Sequence, residues 1–138
     1  MAPNCPTEHQ EQVYFIREFE RLYPDHRIFA IPNGGSRHRL EAANLKREGV
    51  TSGIPDLFCP SLGLWVEMKR ERESRISPEQ KEWLAYLDSL GYKTIVGRGA
   101  ADALEQVKQY FESGEVSLWL KLLKVLKELR AKWPKVAG

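Results

Sequence analysis

An α/β layer fold with a mixed central sheet is what this 138-residue sequence predicts. Three observations predict it. Segments with a 3.6-residue apolar period alternate with short apolar runs bounded by Gly, Pro and Ser. Two of those runs lie close enough to pair as a hairpin. The order helix, strand, helix, hairpin, helix, strand, helix leaves strand–helix–strand steps, which favour right-handed crossovers. The length points to one domain with a real core. No apolar run approaches a membrane span, and Met1-Ala2-Pro3-Asn4 lacks the basic-then-apolar order of a signal peptide, so a cytoplasmic location and no membrane partner are expected. Cys5 and Cys59 stand far apart without a CxxC, which suggests neither a zinc site nor a disulfide framework.

Taken in order, residues 8 to about 23 read as a helix with Phe15, Ile16, Phe19, Leu22 and Tyr23 on one stripe, ended by Pro24-Asp25. Glu8 and Gln12 fall within that stripe, and Glu11 lies at its edge; an acid there is costly unless it has a partner. Read plainly, Glu8 is a first-turn acid favoured by the helix dipole. Ile28-Phe29-Ala30-Ile31 reads as a short strand, stopped by Pro32 and the turn Asn33-Gly34-Gly35. Ser36 to about Glu48 suits a helix with Leu40, Ala43 and Leu45 inward and Arg37, Lys46 and Arg47 outward. Such a basic face is either simply solvated or, from its position just before the stretch described next, placed for phosphate contact by Arg37 and Lys46. Ser77-Pro78-Glu79-Gln80 starts a further helix, with Ser77 as N-cap, Pro78 in the first turn and Gln80 at the capping-box position. Gln80 also shares a face with Trp83, Leu84 and Leu87, which turns it toward the sheet. Gly91 ends this helix, Lys93 to Gly97 reads as a strand, and Ala100 to Glu112 as a helix burying Leu104, Val107 and Phe111. Residues 8–112 make the core domain. Residues 115–133 add an amphipathic helix in which Trp119, Leu122, Leu126, Leu129 and Trp133 recur at three- and four-residue spacing, expected to pack on the core or across a dimer.

The chain is organised around Gly53-Ile54-Pro55-Asp56-Leu57-Phe58 and Leu64-Trp65-Val66-Glu67-Met68-Lys69, two strands joined by Cys59-Pro60-Ser61-Leu62-Gly63. Strand alternation sends Glu67 and Lys69 to one face and Val66 and Met68 to the other, and hairpin pairing can bring Asp56 beside the acid and the base. Two carboxylates near 4 Å repel by about 4 kcal/mol at an effective dielectric of 20, so their convergence calls for a positive charge. Oxygen ligands suit a hard divalent ion such as Mg²⁺, and a lysine one strand step away can stabilise charge on a phosphate. That combination points to phosphodiester hydrolysis. The net charge of +2 is too small to identify a nucleic-acid partner. Its distribution is more telling, with Arg37, His38, Arg39, Lys46 and Arg47 before Asp56 and Lys69, Arg70, Arg72 and Arg75 after Glu67.

Pro55-Asp56 followed by Glu67-Met68-Lys69 looks like the PD-(D/E)xK nuclease signature. With it come Pro32-Asn33-Gly34-Gly35-Ser36-Arg37, Leu45-Lys46-Arg47-Glu48-Gly49-Val50, Ser52-Gly53, Gly63-Leu64-Trp65, Ser77-Pro78-Glu79-Gln80 and Leu90-Gly91-Tyr92. Together, over roughly residues 8 to 112, these resemble the VRR-NUC family, in particular its small stand-alone members of phage and bacterial type. The resemblance implies a restriction-endonuclease-like core and a DNA endonuclease dependent on Mg²⁺ or Mn²⁺, working in a bacterial or phage-infected cell. It implies that Asp56, Glu67, the Met68 carbonyl and Glu8 bind metal, with Glu11 the alternative helix-borne acid. Lys69 would position the attacking water, and Gln80 would orient that water or Lys69. It also implies a homodimer cutting branched DNA such as four-way junctions. Three acids forced together by the fold are then the expected heart of the site. Two other readings compete: a DNA-binding module or adaptor that keeps the fold without turnover, and an ordinary Glu67–Lys69 ion pair on a solvated face.

Overall fold

The computed structural model describes residues 5–32 and 39–135. The turn Asn33-Gly34-Gly35 and the expected phosphate contact Arg37 lie outside the described residues. Among the described residues four strands form one sheet in the order β1 (Phe29–Ala30), β2 (Leu57–Cys59), β3 (Leu64–Lys69), β4 (Lys93–Arg98). The first two pairings are antiparallel and the β3–β4 pairing is parallel. The sheet is therefore mixed, and with the five helices of the described residues around it this is the restriction-endonuclease-like architecture.

The β2–β3 hairpin exists because Pro60–Leu62 forms one 3-10 turn and Gly63 closes it at φ 56°, a left-handed conformation that glycine adopts without steric cost. Its register sets Leu57 against Val66 and Phe58 against Trp65. Pleating then puts Leu57, Cys59, Leu64, Val66, Met68 and Ile95 on one face, all buried. Against this face pack α1 (Glu8–Leu22), through Phe15 and Phe19, and α4 (Ala100–Glu112), through Ala103 and Val107. Phe58, Trp65, Glu67 and Lys69 share the opposite face, which α3 (Pro78–Ser89) approaches through Gln80.

Both long helices before the sheet's last strand start where their side chains can satisfy the free N–H groups. Thr7 and Gln10 cap α1 reciprocally, and Ser77 and Gln80 do the same for α3. Two expectations need correction. Leu22, the last residue of α1, is exposed, and Tyr23 takes the core position, stacked on Phe111 at 4.5 Å. Leu40 and Ala43 of α2 (Arg39–Arg47) are exposed too, because this helix lies off the core and only Leu45 is half-buried. In α5 (Glu115–Ala131), Val116 is buried and Trp119 half-buried, whereas Leu122, Leu126, Leu129 and Trp133 face outward. No helix among the described residues is long and apolar enough to cross a membrane.

Candidate active site

Asp56 sits one residue before β2, and its backbone carbonyl accepts the Ile31 N–H at 2.8 Å, which fixes the strand entry. Its side chain turns across the hairpin: Oδ2 accepts the Met68 N–H at 2.8 Å. Gly53, at φ 88°, makes that approach possible. A Cβ there would lie 2.7 Å from the Glu79 carbonyl carbon, so glycine lets the Asp56 loop close onto the first turn of α3.

Glu67 and Lys69 point to the same face, and both are buried, Glu67 with only 2% of its surface exposed. Lys69 Nζ lies 3.7 Å from Glu67 Oε1. The same oxygen accepts a 2.7 Å hydrogen bond from Gln80 Nε2, while Gln80 Oε1 accepts the Ser77 N–H at 2.9 Å. Gln80 thus caps α3 with one end of its amide and holds Glu67 with the other. The remaining oxygen, Glu67 Oε2, is buried without a hydrogen-bond partner. A solvated surface ion pair does not have this burial or this convergence, and the reading of Glu67–Lys69 as one is overturned.

The electrostatics follow from the packing. Burial, then the negative charge of Asp56, pushes the Glu67 carboxyl up from 4.5 to about 8; Lys69 opposes the shift and Glu8 adds to it. Burial raises Asp56 as well, against the Met68 N–H, which favours its ionised form. Without an added cation, Glu67 therefore holds a proton near neutral pH.

The helix-borne acids separate cleanly. Glu11 Oε2 accepts the Ala100 N–H at 2.6 Å and lies beside Gly99, so it caps the start of α4 and is committed to structure. Glu8 is exposed at the start of α1, and its charge raises both Asp56 and Glu67. Among the described residues no three His, Cys, Asp or Glu side chains form a ready-made metal cage. The expectation of three acids forced together is corrected to two that converge and a third that acts through its charge. The donor chemistry still fits a hard cation: two carboxylates of raised pKa, one with an unpartnered buried oxygen, next to the Met68 backbone. Lys46 is exposed on the last turn of α2.

One tie that spacing along the chain did not reveal steadies the surroundings. Arg98 Nη1 donates to the Ser74 carbonyl at 2.8 Å, so the charged connector that follows β3 is tied to the end of β4. No repeat or motif marks this pair, 24 residues apart.

Comparison with known proteins identifies the family. The VRR-NUC domain family model matches residues 7–101. A solved structure of a VRR_NUC domain protein superposes with a TM-score of 0.65 at 28% identity, covering 78% of this chain and 89% of that one. No curated protein matches the chain.

Proposed function

Because the chain belongs to the VRR-NUC family, a nuclease family of the PD-(D/E)xK superfamily, we propose that it is a divalent-metal-dependent DNA endonuclease, selective for branched structures such as four-way junctions. The observation that carries this reading is the buried Glu67: one oxygen held by Gln80, the other unpartnered, with Asp56 and Lys69 beside it. Asp56, Glu67 and the Met68 carbonyl, with Glu8 at the rim, would hold Mg²⁺ or Mn²⁺. When bound, such an ion supplies Lewis-acid polarisation of the phosphate and of the attacking water.

The chain's own residues do the rest. The Met68 N–H holds the Asp56 carboxylate across the hairpin, and Gln80 holds Glu67 Oε1 in place beside Lys69. The Lys69 ammonium, buried and unable to drift into solvent, stabilises negative charge growing on the phosphate oxygens and orients the water. Arg37 and Lys46 would contact phosphates flanking the cut. Two copies related by a two-fold axis suit the two symmetric strands of a junction. A cytoplasmic location goes with this reading.

The test is a supercoiled plasmid and a synthetic four-way junction incubated with Mg²⁺ or EDTA, with wild type beside Asp56→Ala and Lys69→Ala. Cutting is expected with wild type and Mg²⁺ alone. Cutting that survives either substitution undiminished refutes the site. DNA binding without cutting by wild type would leave a non-catalytic binding module.

A further inference from the structure

At the opposite end of β3 from Glu67 and Lys69, the molecule carries an apolar surface that the candidate site does not use. Among the described residues the polar contacts of α5 with the rest of the chain lie at its start. Trp119 Nε1 donates to the Ser61 carbonyl at 3.2 Å, the Trp119 ring fills the space a Cβ on Gly63 would need, and Lys93 Nζ lies 3.4 Å from Glu115. Along its outer face Leu118, Leu122, Val125, Leu126, Leu129 and Trp133 are exposed, Leu118 by 70% and Trp133 by 74%. Monomers rarely leave so continuous an apolar strip in water.

The two ends of the strip complement each other. At its N-terminal end a cavity of about 410 Å³ opens between α5 and the α3–β4 corner, lined by Leu90, Tyr92, Leu118, Trp119 and Leu122 among others. At its C-terminal end Trp133 projects into solvent. Leu126 lies midway, seven residues from Trp119 and seven from Trp133, or about 10 Å either way at 1.5 Å per residue.

We propose that α5 pairs antiparallel with α5 of a second copy about a two-fold axis at Leu126, each Trp133 seating in the cavity of the other copy. Such an axis is self-complementary, as an isologous contact requires. It also sorts the charges. Lys121 comes level with Ala131 of the second copy, Lys124 with Glu128, Lys127 with Val125, Arg130 with Leu122 and Lys132 with Leu120. A parallel pair would instead set every cation level with its own twin. Because the anchor of α5 is the hairpin turn, about 10 Å of β3 separates it from Glu67, and both sites stay open to DNA. The proposal deepens the two-copy reading above and relies on it for the number of copies alone; it does not depend on the chemistry.

Sedimentation equilibrium of the full chain tests it. Wild type is expected as a dimer at micromolar concentration. Leu126→Lys places two ammonium groups on the axis and is expected to be a monomer with unchanged circular dichroism, since the side chain is exposed. Trp133→Ala is expected to raise the dimer dissociation constant at least about tenfold, as loss of a buried aromatic anchor does. Wild-type monomer at high concentration overturns both the interface and the two-copy reading. A dimer unmoved by either substitution overturns this interface and leaves two copies standing. Loss with Leu126→Lys but not with Trp133→Ala overturns the antiparallel seating. The Asp56→Ala assay reads the nuclease chemistry separately.

Discussion

Replacing Glu67 by Gln separates what the site costs from what it does. The carboxyl is carried from 4.5 to about 8 by burial and by Asp56. The native state therefore holds this proton more tightly than the unfolded chain does. Stability from this group is complete below about 4.5, falls as the pH rises between the two values, and is fully lost above about 8. At about 1.4 kcal/mol per pH unit the loss is up to about 5 kcal/mol, shared with Asp56 through their mutual repulsion. Glutamine cannot ionise. Its amide oxygen can still accept from Gln80, and its NH₂ can donate toward Asp56, so an acid–acid clash becomes a donor–acceptor contact. Urea unfolding in EDTA at about pH 5 and about pH 9 should show wild type losing several kcal/mol more than Glu67→Gln over that interval. Mg²⁺ should restore wild type at the higher pH and leave the variant unmoved, while the variant cuts no DNA. Equal pH slopes for the two proteins would refute the electrostatic account of this site.

The two helix-borne acids predict opposite phenotypes. Glu11→Ala strands the Ala100 N–H and should cost about 1–3 kcal/mol in urea unfolding with cutting retained; Glu8→Ala, at an exposed position, should weaken Mg²⁺-dependent cutting at unchanged stability. Gln80→Ala removes both a helix cap and the Glu67 bond, so stability should fall by about 1 kcal/mol and cutting by at least about tenfold, read by unfolding and by initial rates. Gly63→Ala forces an L-residue to φ 56° and drives its Cβ to 2.4 Å from the Trp119 ring. It should cost at least about 1–2 kcal/mol and loosen α5, visible as faster amide exchange along that helix, and unaltered exchange there would sink the assignment of Gly63 as its seat.

The family's activity is one thing and the branched-DNA preference another. Glu67 and Lys69 lie on β3, Gln80 in the capped first turn of α3 and Asp56 just before β2, tied together by the Gln80–Glu67 and Met68–Asp56 hydrogen bonds. Under the proposed function, selectivity among DNA forms would rest on surfaces farther out, such as exposed Lys46 on α2 and the relation between two copies. The α5 strip bears on the second of these, because an axis at Leu126 would fix the separation of the two sites.

What the sequence by itself determined was everything local. The hairpin, the sending of Glu67 and Lys69 to one face, and the Ser77–Gln80 capping box each depend on periods of two to four residues, and each is in the structure. The tertiary structure alone decided which partners distant residues meet. Glu11 was separable from Glu8 only once Ala100, 89 residues away, was brought to it. The face Gln80 shares with Trp83, Leu84 and Leu87 turned it toward the sheet, but that it meets Glu67 Oε1 there is fixed only by where α3 packs. Leu40, and Leu122, Leu126 and Leu129 of α5, sit at helical spacing as the α1 stripe does, yet they face water. Periodicity shows that a helix has an apolar side, whereas burial requires a second surface at the right distance, and that surface belongs to another part of the chain or to another molecule.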